Sequence, residues 1–298
     1  ALLPAILFFF AVWVGIDFYT IKYNLKPVEQ ENLPKKSIVL ITSFFFLIPF
    51  STLLIFMFAG FTPQYSASLA ILTSFLLLFF NLNNGFDLKL GLVRFINACT
   101  SSGKQIALIG SIILCASIII GVLSITGLGV KLTSLIISVS GNNIWPALLL
   151  TGLACLILGM EVPTTAAYVI CVSVAGPALV DMGLGLLEVH LFVFWFALLS
   201  TITPPVCGTV FIAAGMVNEN WLKVSITSMS LGIGLYFIPL AMIANKSILD
   251  LNSTVLLSLL AFIKIAISLV MLSFSIIGNY TLFLRIGAFL LGLFIMFF

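Results

Sequence analysis

Charge is what this sequence has least of. Of 298 residues only 7% are Asp, Glu, Lys or Arg, against 62% hydrophobic, and the mean hydropathy is +1.32. Soluble domains carry about 25% charged residues, so this chain has no means of covering a water-facing surface. Soluble enzymes, nucleic-acid binders and disordered scaffolds are thereby excluded as whole-chain readings. The net charge of +3, from 12 basic and 9 acidic residues, suits anchoring at anionic headgroups and is far too small for a nucleic-acid footprint. Histidine occurs once, as His190. The five cysteines (Cys99, Cys115, Cys155, Cys171 and Cys207) show no CxxC spacing, so metal and disulfide readings lack their convergent spacings. Four of them lie inside apolar runs and read as small hydrophobes. No nucleophile triad, phosphate loop or HExxH motif is present, which leaves an enzyme reading without residues. Nor is there a basic n-region before the first apolar run; a chain opening in mid-run at Ala1 reads as a piece of something longer.

What the chain has instead is a series of apolar runs near the roughly 20 residues needed to cross a bilayer. The first is Leu2 to Tyr19, followed by a basic connector, Lys22 to Lys36. A second run, Ser37 to Phe61, leads through an uncharged turn, Thr62 to Ser66, into a third, Ala67 to Phe80. Asn81 to Lys104 carries Lys89, Arg94 and Lys104, and its apolar residues suggest a helix lying in the membrane interface. The positive-inside rule puts both basic connectors on the cytoplasmic side. Ile106 to Leu123 is an ordinary span, and a partly polar helix from Val130 to Ser140 follows. Ser225 to Ala244 reads as a span interrupted by Pro239. Thr254 to Ile277, with Lys264 embedded, fits an interfacial helix or a tilted span, and Leu282 to Phe298 closes the sequence.

Two interruptions carry the chemistry. Non-helical backbone at membrane depth survives only when buried in protein or lining a watery cavity. Short apolar segments broken by Gly, Pro and hydroxyl residues are the pattern of re-entrant hairpins and discontinuous helices in secondary transporters. The first break, Gly159 to Thr165, lies between the short runs Asn143–Leu158 and Ala166–Val180. It reads as a re-entrant tip whose Thr164 and Thr165 cap a half-helix or offer hydroxyl oxygens to a cation; an ordinary turn between two thin spans is the alternative. The second break is Ser200 to Gly208. Pro204 and Pro205 lack donor hydrogens, so carbonyls one turn earlier lose their helical partners. Ser200, Thr201 and Thr203 gather hard oxygens beside them, a set suited to sodium. Its alternative is a proline-kinked structural helix with Ser and Thr back-bonding. Glu161 is either a coupling or substrate-facing carboxylate, or a group that reaches water. His190 is either a proton relay or a hydrogen-bonded structural group. Lys264 and Arg285 read as snorkelling side chains.

At these breaks the sequence resembles a known family. Leu158-Gly-Met-Glu-Val-Pro-Thr-Thr-Ala-Ala-Tyr-Val-Ile170, His190-Leu-Phe-Val-Phe-Trp-Phe-Ala197 and Ser200-Thr-Ile-Thr-Pro-Pro-Val206 are similar to the large permease subunit of TRAP transporters, in its fused, TAXI-associated branch. Thr126-Gly-Leu-Gly-Val-Lys-Leu-Thr-Ser134 and Gly234-Leu-Tyr-Phe-Ile-Pro239 add to the likeness, which covers essentially the whole chain. Glu161 and Val162 stand where the family usually has Gly and Leu.

The resemblance implies an all-α polytopic membrane protein, the second half of an inverted-repeat, elevator-type transporter with one re-entrant hairpin and one broken helix. It implies scaffold helices and an interfacial helix over 1–104, a transport region over 105–216 (hairpin about 143–180, broken helix about 191–216) and closing helices over 217–298. Such permeases import small organic acids with sodium as the coupling ion and need no other cofactor. Their partners are a periplasmic TAXI-type substrate-binding protein, and a small membrane subunit or the N-terminal half that this chain lacks, in the inner membrane of a bacterium or archaeon. Carried over, Gly159, Pro163, Thr164 and Thr165 face the substrate. Gly159, Ser200, Thr201, Thr203, Pro204 and Pro205 surround the sodium ion. A channel or pump subunit without sodium coupling, or a membrane scaffold, is the rival reading.

Overall fold

The computed structural model of the protein describes residues 2–26, 36–81, 85–141, 143–160, 162, 164–205, 207–251 and 255–298. Fourteen α-helices account for nearly all of these residues; the sole strands among them are Phe80–Asn81 and Gly85–Phe86, paired antiparallel. The chain divides into two compact units, Pro27–Ser111 on the one hand and Ala1–Lys26 with Ile112–Phe298 on the other.

The smaller unit holds α2 (Lys36–Phe58), α3 (Pro63–Leu77), the short β pair and the first part of α4 (Leu88–Thr126). Helix α2 has no buried residue in its apolar window, as expected of a surface bathed in lipid. Thr62 caps α3 by accepting from Tyr65 N, with Pro63 at the first helical position, so only Ala59 to Thr62 separate the two helices. Asp87 Oδ1 accepts from Leu90 N at 3.1 Å, which starts α4. That helix is continuous for 39 residues, where the sequence suggested an interfacial helix and a separate span. Ser101, Ser102, Gly103 and Lys104 are tolerable inside a helix once its hydrogen-bond ladder is running, and no proline interrupts them.

The larger unit is built around two cores. One joins α5 (Leu128–Ser140), α6 (Ile144–Leu158), α7 (Thr164–Val174), α8 (Gly176–Asp181) and α9 (Leu186–Leu199), with Leu148, Leu179 and Phe192 fully buried at its centre. The other joins α1 (Leu2–Tyr23), α12 (Ile233–Ala244), α13 (Val255–Ile277) and α14 (Leu282–Phe297) with Trp195 and Leu199 of α9. Helix α9 thus contributes to both. Between them in sequence, α10 (Gly208–Val217) leads through Asn218, in the left-handed region at φ 51°, to α11 (Trp221–Leu231).

Helices α11 and α12 meet at a bend of 42° at Gly232. The sequence put that interruption at Pro239, which instead sits inside α12. The reason is local: at Gly232 the ladder tightens to a Leu235 N to Gly232 O bond of 2.9 Å. Close approach of helix backbones follows from small residues, as is usual in membranes. A Cβ on Gly15 of α1 would collide with the Leu231 carbonyl, and one on Gly234 would lie 2.8 Å from the Leu269 side chain.

Candidate functional site

The hairpin arms pack through short side chains. On α6, Ala147, Thr151 and Cys155 recur every four residues and are fully buried; on α7, Ala167 and Cys171 do the same. Four-residue spacing puts each set on one helix face. Cys171 Sγ donates to Cys155 O at 3.6 Å across the pair. At the outer end, Ser140 Oγ lies 4.0 Å from Met182 Sδ, so the chain enters and leaves the hairpin at one place. Asn143 starts the first arm by accepting from Trp145 N at 3.1 Å.

The tip meets the second break directly. Gly159 is buried, and a Cβ built on it would come within 2.5 Å of Ser200 Oγ and 3.0 Å of Ser200 Cβ. A glycine is therefore required here by the approach of α9. Thr164, half-buried, opens α7, and Thr165 beside it is exposed. Glu161 and Pro163 lie outside the described residues.

Beyond Ser200 the helix opens in stages. Thr201 N, Ile202 N and Thr203 N bond to carbonyls three residues back, at 3.2–3.4 Å, and the Pro204–Pro205 bond is cis. Without N–H groups on Pro204 and Pro205, the carbonyls of Ser200 and Thr201 lose their α-helical donors. Each finds another: Thr203 N donates to Ser200 O at 3.4 Å, and Thr209 Oγ1 donates to Thr201 O at 2.7 Å. Ser225 Oγ of α11 donates to Ile202 O at 3.3 Å, with Cys207 Sγ at 3.8 Å from the same hydroxyl. The three hydroxyls picked out from the sequence all bond back into α9. Ser200 Oγ donates to Ala197 O, Thr201 Oγ1 to Leu198 O and Thr203 Oγ1 to Leu199 O, at 2.7–2.8 Å. Thr203 Oγ1 also lies 2.7 Å from Tyr236 OH.

These bonds bear on what the break can do. A hydroxyl that donates its proton to a carbonyl still has lone pairs free to accept. The donor set is all oxygen, hydroxyl and carbonyl, which fits a hard cation and not a soft one. Among the described residues there is no group of three or more His, Cys, Asp or Glu side chains able to hold a metal. The same bonds also meet the needs of a structural kink in a helix that must bend.

Of the residues selected from sequence, the fold brings Gly159 onto Ser200 and keeps Thr201, Thr203, Pro204 and Pro205 in the turn that follows. His190 is elsewhere. It stands in the first turns of α9, about 15 Å along the helix from Ser200 at 1.5 Å per residue. It is exposed, and its Nδ1 lies 2.6 Å from Tyr168 OH of α7. Sequence reasoning passed over Tyr236, Ser225 and Thr209, whose hydroxyls complete the break from other elements. The one signal available was an isolated polar group inside an apolar run, which Tyr236 is.

Neither the comparison with curated proteins nor that with solved structures gave a match. A family model did: residues 1–280 match that of the tripartite ATP-independent periplasmic transporter, DctM component. With a largely helical fold among the described residues, apolar spans and two interrupted segments in contact at Gly159 and Ser200, the chain belongs to that family, the large membrane component of TRAP transporters.

Proposed function

We propose that this membrane permease works by sodium-coupled import of small organic acids, taken from a periplasmic binding protein of the TAXI type. The observation that carries the reading is the seating of Gly159 against Ser200. It brings the end of α6, just before the turn that leads to Thr164 and α7, against Ser200, the first residue of the turn whose hydroxyls and carbonyls run from 200 to 203. Transporters of this general design hold anionic groups at half-helix N-termini and sodium at unwound carbonyls. In this reading the start of α7 receives the substrate carboxylate, and Gly159, Pro163, Thr164 and Thr165 are its binding residues. Ser200, Thr201, Thr203 and the backbone around Pro204 and Pro205 supply oxygens to the ion, with Gly159 closing the neighbourhood.

In this reading the chain is the second of two inverted repeats. It acts with a preceding half, or with a small membrane subunit, in the inner membrane of a bacterium or archaeon. Residues 105–216 move as the transport region against the remaining helices.

Proteoliposomes containing the complete subunit set test the proposal. Uptake is expected only with the binding protein present and with sodium higher outside than inside. Equal uptake without a sodium gradient would point to a proton-driven or channel mechanism.

A further inference from the structure

Three element ends converge away from the hairpin tip. They are the start of α9, the 3-10 turn Lys246–Leu249, and the start of α13. Between them lies an open cavity of ≈ 570 Å³, its walls including Leu187 and Leu257 and its polar surface Glu188, Lys246, Ser247 and Asp250. Lys246 Nζ and Glu188 Oε2 are 3.1 Å apart, with the Lys246 side chain 57% exposed and that of Glu188 16%. Gly185 N donates to the same Oε2 at 3.3 Å, which fixes the carboxylate.

The location matters as much as the charges. Helix α13 is 23 residues long and apolar enough to cross a bilayer, so its first turn lies at a membrane boundary. The other end of α13 shares a pocket with Lys22, the basic end of α1. By the positive-inside rule that end is cytoplasmic, and the cavity opens at the outer boundary. Leu186, Leu187 and Leu257 are more than half exposed there, an apolar rim for acyl chains.

We infer that this cavity binds the headgroup of an amine-bearing zwitterionic phospholipid, phosphatidylethanolamine in chemical class. One cation and two carboxylates give the cavity a net charge of −1. A purely anionic headgroup meets repulsion there. A headgroup with both a phosphate and a primary ammonium is complementary: the phosphate takes Lys246 and the Ser247 hydroxyl, and the ammonium takes Asp250 and Glu188. Charge-assisted hydrogen bonds of both signs are then made at once. A quaternary amine has no N–H for the carboxylates and is the poorer ligand.

The test is native mass spectrometry and thermal shift on the full chain, delipidated and titrated with phosphatidylethanolamine, phosphatidylcholine or phosphatidylglycerol, and with soluble phosphoethanolamine. Phosphatidylethanolamine is expected to be retained at least fivefold better than the other two lipids and to raise the melting temperature. Lys246→Ala and Asp250→Asn are each expected to lower its retention at least fivefold. Asp250→Asn leaves the Lys246–Glu188 pair intact, so it decides the matter even where Lys246→Ala does not fold. Equal retention of the three lipids, or undiminished retention in Asp250→Asn, overturns the proposal. Stabilisation by phosphoethanolamine equal to that by the lipid assigns the site to a free phosphoamine and overturns the lipid assignment.

Discussion

Trp195 of α9 donates its indole N–H to the carbonyl of Leu235, 3.0 Å away and buried. Leu235 stands four residues before Pro239, so its carbonyl is the one that the missing proline N–H leaves without a helical donor. The indole replaces that N–H from a neighbouring helix. A proline inside α12 thereby becomes a specific tie between α12 and the helix that leads into the break at Ser200.

That tie has an energetic signature. Trp195→Phe keeps an aromatic ring but leaves the Leu235 carbonyl buried and unpaired, at an expected cost of about 1–3 kcal/mol. In a Pro239→Ala background the backbone N–H returns and the cost of Trp195→Phe falls. Thermal unfolding of the two single variants and the double variant in detergent measures the coupling. Additive losses would break the link between indole and proline.

Gly159→Ala is expected to be poorly tolerated. The new Cβ lies 2.5 Å from Ser200 Oγ and 3.0 Å from Cys155 O, so tip and break must separate by several tenths of an ångström. Overpacking of this kind costs about 1–3 kcal/mol. Uptake by the complete transporter should fall with it. Ser200→Gly removes the obstructing side chain and should restore part of both losses in the double variant, as read by melting temperature and initial uptake rate.

Thr203 and Tyr236 separate ion binding from scaffolding. Thr203→Val removes an oxygen that contacts both Leu199 O and Tyr236 OH, while Tyr236→Phe removes only the partner. If Thr203 Oγ1 ligates sodium, Thr203→Val raises the half-saturating sodium concentration about five- to hundredfold, the worth of one good ligand at about 1–3 kcal/mol. Tyr236→Phe then shifts that curve less than twofold while lowering stability. Unchanged sodium curves in Thr203→Val and in Ser200→Ala would make this break a structural kink.

The path of the hairpin is open to labelling. Ser140 and Met182 adjoin, so the chain entering at Asn143 and the chain leaving at Met182 are expected on one face of the membrane. Single cysteines at the two positions should react with an impermeant maleimide from the same side in oriented vesicles. Reaction from opposite sides would make residues 143–182 cross the bilayer.

Much of this was legible along the chain because the governing forces are local. Apolar runs the length of a bilayer and prolines that remove donors are properties of a few adjacent residues. They placed the helix-poor segment after Gly159 and the break after Ser200 close to where the structure has them. The continuity of α4 was not legible, because four small or polar residues weaken a helix by amounts that tertiary context readily overrides. The candidate site was visible in the sequence as a set of residue types and not as a set of contacts.

The sequence by itself determined that this chain lives in a membrane, that it is helical, and that its backbone is interrupted after Gly159 and after Ser200. Only the tertiary structure decided that those interruptions touch, Gly159 against Ser200, and that Thr203 answers to Tyr236. It alone decided that the span after Ser225 bends at Gly232 and not at Pro239. The physical reason is the same in each case. Whether an orphaned carbonyl bends a helix depends on which distant donor reaches it, and Trp195, 40 residues away in the chain, carries no mark of that partnership until the helices are packed.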